Sequence, residues 1–414
     1  MPRNRRIAIL LIALLVDAIP ARADFLDDAN QMLSLGDRNS QFHLRITGLV
    51  DVEGYYLDQP APGLIETDNN FLFNPRLTIF VDAGWSKYLY FFGQVRVDRG
   101  FDPSDEGAQI RIDEYFLRYK VFGNASLNFQ IGKFATVVGN WVQRHYSWDN
   151  PFVTAPLPYE NLTGIWDSAA PDNIDDLLYW AHVPVYDSMN YSDKYLRLPV
   201  IWGPSYASGI ALTGAIDKFD YAVELKNAAL ASRPENWDVT RMGFSHPTYS
   251  GRIGFHPNEM WNVGFSVSSG AYLVPEAAPD LPRRTNIGDF REKVLAQDIS
   301  FAWHHLQLWA EVYETRFEVP HIGNADTLAY YIEGKYKLTP QLYAALRWNQ
   351  QLFATVVDES QRVQWGNDVW RVDAALGYRF TDYLQGKIQY SFTHVRGDVS
   401  IGEQLLAAQL TFKF

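Results

Sequence analysis

The sequence has no cysteine. That absence excludes disulfide scaffolds, thiolate catalysis, Cys-ligated zinc and covalent haem attachment through Cys-x-x-Cys-His. Long apolar runs are also missing. The one unbroken stretch, Ile7 to Val16, is shorter than the roughly 20 residues a membrane-spanning helix needs. If the chain crosses a bilayer, it must do so with strands closed into a barrel. No Gly-x-Ser-x-Gly occurs, and His145, His182, His246, His321 and His394 fall in predicted loops or at their edges. A membrane-barrel hydrolase would need a Ser-His or Asp-His constellation near the rim, so an enzyme is the weaker alternative. No cofactor, metal or nucleic-acid partner is expected.

At the N-terminus, Arg3, Arg5 and Arg6 precede the apolar run, and Ala21-Arg22-Ala23 follows it. A basic region, a short apolar core and a small-x-small site predict a secretory signal peptide over 1–23. Residues 24–41 then read as a periplasmic N-terminal segment, and 42–414 as the folded domain. Aromatic residues make up 15% of the chain. Such a load suits the girdles that a transmembrane barrel places at both membrane interfaces.

Period-2 alternation begins near residue 43 and recurs to the last residue. In the final segment Leu406, Ala408, Leu410, Phe412 and Phe414 alternate with Ala407, Gln409, Thr411 and Lys413. The same pattern holds over 383–395 and 367–380, with aromatic residues gathered toward strand ends. A soluble sandwich would scatter them, whereas a lipid-facing band ends in interfacial rings. Counting these segments predicts an all-β, antiparallel transmembrane barrel of about sixteen strands. Its connections alternate between short turns, such as Asp217-Lys218 and His304-His305, and longer loops. The short turns and both termini are expected in the periplasm, the long loops outside.

One connection is out of scale. Residues 135–206 far exceed the dozen or so at which a structureless loop needs explaining, and the segment is rich in Trp, Tyr and Pro. It is the third long loop, and it is expected to fold into the lumen as a constriction. Inward parity places Arg45, Arg76, Arg96, Arg118, Arg347, Arg371 and Arg379 on the lumen wall, since lipid-facing arginine at mid-depth would cost on the order of 2 to 4 kcal/mol each. The loop holds eight carboxylates against three basic residues. Of these, Asp149, Glu160, Asp167, Asp172, Asp175 and Asp176 are the candidates to face the basic wall. Opposed charge across a narrow opening would set up a transverse field favouring hydrophilic solutes. The net charge of −12 adds the expectation of a weak cation preference.

The barrel pattern, the terminal Phe414, and Arg111-Ile-Asp-Glu-Tyr-Phe-Leu-Arg-Tyr followed by Phe129-Gln-Ile-Gly-Lys-Phe resemble the large outer-membrane porins, both general-diffusion and phosphate- or oligosaccharide-selective. The resemblance implies a passive channel in the bacterial outer membrane, assembled as a homotrimer among lipid and lipopolysaccharide. It also implies that Phe412 and Phe414 act as the recognition signal for the barrel assembly machinery. An acidic loop departs from the basic loop expected of phosphate-selective members. With about sixteen strands the interior is too wide for side chains alone to fill. That width also leaves open a second reading, a scaffold sheathing a partner such as a multihaem cytochrome.

Overall fold

A computed structural model describes residues 33–36, 41–100, 103–182, 196–358, 361–397 and 401–414. The predicted signal peptide and most of the segment 24–41 lie outside the described residues, as do Asp187 and Asp193 of the long loop. Sixteen antiparallel strands form the wall: β1 Phe42–Leu57, β2 Phe71–Trp85, β3 Leu89–Asp98, β4 Gln109–Lys120, β5 Asn128–Lys133, β6 Ser208–Ile216, β7 Phe219–Lys226, β8 Thr248–Asn258, β9 Trp261–Ala271, β10 Arg291–Trp303, β11 Leu306–Val319, β12 Gly323–Lys337, β13 Leu342–Phe353, β14 Asp368–Arg379, β15 Leu384–Arg396 and β16 Ile401–Lys413. Each pairs with its sequence neighbours, and β16 returns to β1 with Leu405 opposite Leu57 and Lys413 opposite Leu49. The barrel is closed, which removes every sheet edge.

Alternation explains why these segments form wall rather than core. On β1 the odd-numbered Leu49, Asp51, Glu53, Tyr55 and Leu57 are buried, while Val50, Val52 and Tyr56 are exposed. The same parity exposes Ile110, Ile112, Leu117, Ile253, Phe265, Leu346, Ile388 and Leu410 around the circumference. Apolar residues outside and polar residues inside invert the pattern of a soluble protein. The inversion is that of a barrel standing in lipid, the architecture of outer-membrane proteins. An ionic patch interrupts this outer face near the long-loop end of β10 to β12, where Lys293 pairs with Glu318, and Arg316 with Asp326.

Turns at one end are short. β6 and β7 join through Asp217-Lys218, and β10 and β11 through His304-His305. Asp217 and His304 both adopt positive φ, as tight hairpins require. Between β8 and β9 the turn is Glu259-Met260, because β8 runs on to Asn258. The opposite end carries the long connections, among them 58–70, 99–108 and 134–207.

Among its described residues, loop 134–207 contains the helix α1 Ile174–His182 and the short 3-10 helices Trp141–Arg144 and Leu157–Tyr159. Its apolar residues make two clusters with the inner face of β10 to β12. In one, Val138, Trp141, Val142, Tyr159, Val200 and Ile201 pack on Val294, Ala296, Tyr313, Ala329 and Tyr331. In the other, Ile165, Leu177, Leu198 and Trp202 meet Trp237, Tyr272, Phe317 and Val319. The interior on that side is a packed core. Polar residues dominate the inner face of β1 to β4 and of β14 to β16, where Asp51, Glu53, Arg76, Thr78, Gln94, Arg96, Gln389, Ser391, Gln409 and Thr411 are largely buried.

Candidate functional site

A long segment with little regular structure must satisfy its backbone groups some other way. Here the inward side chains of the wall do it. Glu311 on β11 accepts from the amides of Asn140 and Trp141 and from the Tyr159 hydroxyl. Asn349 accepts from the Leu157 amide, and Gln389 from those of Val153 and Thr154. Arg347 donates to the Thr154 and Ala155 carbonyls while holding Asp373 at 2.7 Å. The Lys387 ammonium sits among the carbonyls of Ser147, Asn150 and Phe152 at 2.7, 3.0 and 3.1 Å. These contacts run from β11 round to β15, so the loop crosses the lumen.

Between the loop and the wall of β1 to β3 remains a cavity of about 130 Å3. The wall contributes Leu49, Asp51, Tyr55, Arg76, Thr78 and Arg96, while the loop contributes Trp141, His145, Tyr146, Ser147, Tyr159 and Glu160. Behind the arginines lies a lattice of buried carboxylates. Arg76 reaches Asp51 at 3.1 Å and Glu53 at 2.6 Å. Arg96 approaches Asp113 at 3.2 Å, and Arg111 holds Asp98 at 2.9 Å and Asp113 at 3.2 Å. The arginine side chains are 10 to 18% exposed and those carboxylates 1 to 4%. The arginines are thus more exposed than the carboxylates they pair with, and Arg76, Arg96 and Asp51 share the cavity lining.

Of the arginines expected on the wall, Arg76 and Arg96 line the cavity, and Arg347 and Arg371 anchor the loop. Arg379 stands over the Trp148 ring at 5.0 Å, with Lys413 over the same ring at 5.4 Å. Arg118 is bound by Gln130 at 2.7 Å and lies over Phe116, away from the cavity. Arg45, exposed, sits toward the short-turn end in register with Asp82. Among the six loop carboxylates, Glu160 lines the cavity and pairs with Arg371. Asp167 instead pairs with Arg233 at 2.8 Å, Asp149 and Asp172 are exposed, and Asp175 and Asp176 occupy the first turn of α1. The loop thus brings one of its six candidate acids to the cavity, and the wall's own Asp51, Glu53, Asp98 and Asp113 do the balancing. Inward parity marks Asp51, Glu53 and Asp98 as clearly as it marks the arginines. Asp113 is harder to foresee, because the register shifts between Gln94 and Val95 and turns both Asp113 and Glu114 inward.

Burial shapes the loop's titratable groups. His145 is held down to about 3, first by burial and then by the nearby positive charge of Arg96 and Arg76. Its Nε2 lies 2.6 Å from the Tyr206 hydroxyl and its Nδ1 is hydrogen-bonded at the Val142 carbonyl, so a neutral imidazole has both nitrogens engaged. Burial pushes the carboxyl of Glu160 up, against the pull of Arg371.

Comparison with solved structures decides the architecture. OmpF of Salmonella typhi, solved with daunomycin, matches with a TM-score of 0.58 and 11% identity over 92% of this chain and all of the other. The outer-membrane channel DcaP of Acinetobacter baumannii gives 0.57 and 12% over 92% and 100%. The anion-selective porin of Comamonas acidovorans gives 0.56 and 9% over 90% and 100%. The fold is that of the sixteen-stranded porins. At these identities the match speaks for the porin fold and for nothing finer. No family model matches the sequence, and no curated protein does.

Proposed function

We propose that this porin-fold protein is a passive, water-filled channel of the bacterial outer membrane, admitting small hydrophilic solutes and ions past a charged constriction. One observation carries the reading: loop 134–207 is bound to the inner wall on the β10 to β15 side, while a cavity of about 130 Å3 with Arg76, Arg96, Asp51 and Glu160 on its lining remains beside β1 to β3. Constriction by Arg76 and Arg96 on one side and Trp141, Tyr146 and Glu160 on the other sets the size and charge of what passes. The loop also takes up the volume that a sheathed partner protein would need, which disfavours the scaffold alternative.

In this reading the short turns face the periplasm, the protein stands among outer-membrane lipid and lipopolysaccharide, and it assembles as a homotrimer. Phe412 and Phe414, their rings 6.3 Å apart, present the C-terminal aromatic signal to the barrel assembly machinery. The test is planar-bilayer conductance of the refolded protein with reversal potential in a salt gradient. Stepwise ohmic openings are expected; a folded barrel that conducts nothing would overturn the channel.

A further inference from the structure

The lining of the constriction cavity holds buried polar groups that the protein leaves unpaired. Its carboxylates are engaged from behind. Asp51 accepts from Arg76 and from the Thr411 hydroxyl, and Glu160 accepts from Arg371 and the Ala155 amide. His145 has both nitrogens engaged. By contrast, two buried groups on the lining that can donate have no hydrogen-bond partner among the described residues: Trp141 Nε1 and Ser147 Oγ. These residues are 5 and 7% exposed. Native interiors seldom leave several buried donors unpaired at one place, because each loses its water without compensation.

We propose that the cavity is a recognition site for a small organic carboxylate in transit, held by Arg96 and Arg76 and by the Trp141 and Ser147 donors. An anion would meet the N–H groups of Arg76 and Arg96 that their own carboxylate partners leave over, in charge-assisted hydrogen bonds. The apolar part of the lining favours a carboxylate with a tail over an all-polar anion, because Leu49, Ile65 and Phe152 accommodate a short hydrocarbon chain. One orphaned acceptor on the lining, Gln409 Oε1, is left to water or a solute hydroxyl. Size limits the tail: about 130 Å3 equals the share of roughly four liquid waters.

This inference rests on the channel reading for its biological sense, yet binding is measurable without transport. Saturation-transfer NMR with sodium propionate on the folded, detergent-solubilised full-length protein is the experiment, with inorganic phosphate as competitor. Propionate signals are expected in the wild type, weakened about tenfold or more in apparent affinity by R96Q and about fivefold by W141F. Arg316→Gln, on the outer wall, should bind as the wild type does. Heat-modifiable migration on gels selects folded preparations, and W141F leaves the arginine–carboxylate lattice whole should R96Q fail to fold. Absent propionate signal, signal unchanged in both R96Q and W141F, or displacement by phosphate at or below the propionate concentration would overturn the site. Bilayer conductance in potassium chloride on the same preparations reports the channel separately: binding without conductance keeps the site and removes the channel, and conductance without binding does the reverse.

Discussion

Lys387 has given its charge wholly to the loop. Its three carbonyl partners belong to one turn of backbone, Ser147 to Phe152, and the side chain is 3% exposed. Replacing it with Met leaves three buried carbonyls without a donor, at about 1 to 3 kcal/mol for each group left unsatisfied. K387M is therefore expected to free the loop tip, raising single-channel conductance and opening the Ser147–Phe152 stretch to protease while the barrel stays intact. His145 makes a second prediction. In a released loop its imidazole titrates near 6.5, whereas in place burial and the neighbouring arginines hold it near 3. The packed loop then binds fewer protons than the released one. Its packing is full above about pH 6.5 and weakens progressively as pH falls toward 3. Protease cutting within the loop should rise across that window and respond less to acid in His145→Gln; an equal acid response in the variant would dismiss His145 as the cause.

Strands were the part most legible in the sequence, and the reason is their double-sided environment. Lipid outside and water or polar loop inside impose a strict period of two, so parity alone locates all sixteen segments and faces Arg76, Arg96, Arg347 and Arg371 inward. Legibility fell where one side ceased to be distinctive. Val294 and Ala296 on β10 face inward although apolar, because their neighbour is the apolar loop and not water. The loop's path was legible only in outline: its Trp and Pro content predicts packing, but its pairing with Lys387, Gln389 and Asn349 joins residues about 190 to 240 positions apart that no local pattern connects. At the barrel seam, β16 ends where Phe414 exchanges backbone hydrogen bonds with Gly48, and the Phe414 ring lies where a Cβ on Gly48 would stand, 2.3 Å away. Gly48→Val must displace that ring and press on the Thr78 carbonyl at 2.9 Å. The variant is expected to close its seam less well, seen as a lower temperature for loss of the compact gel form.

At the scale of the whole molecule, three environments meet in one sheet. The outer faces of the sheet answer to lipid, the β1 to β4 interior to a buried lattice of paired charges, and the β10 to β12 interior to the loop. A mutation's effect accordingly depends more on which of these three environments it touches than on its depth in the membrane. The side of the lumen filled by loop 134–207 has a thermodynamic consequence. Releasing that loop would wet Trp141, Val200, Ile201, Tyr313 and Tyr331, surface now shielded from water, whereas the lipid-facing belt stays dry throughout. Loop release should therefore carry the positive heat-capacity increment of an unfolding soluble domain, a calorimetric signature that an empty barrel of the same wall would lack.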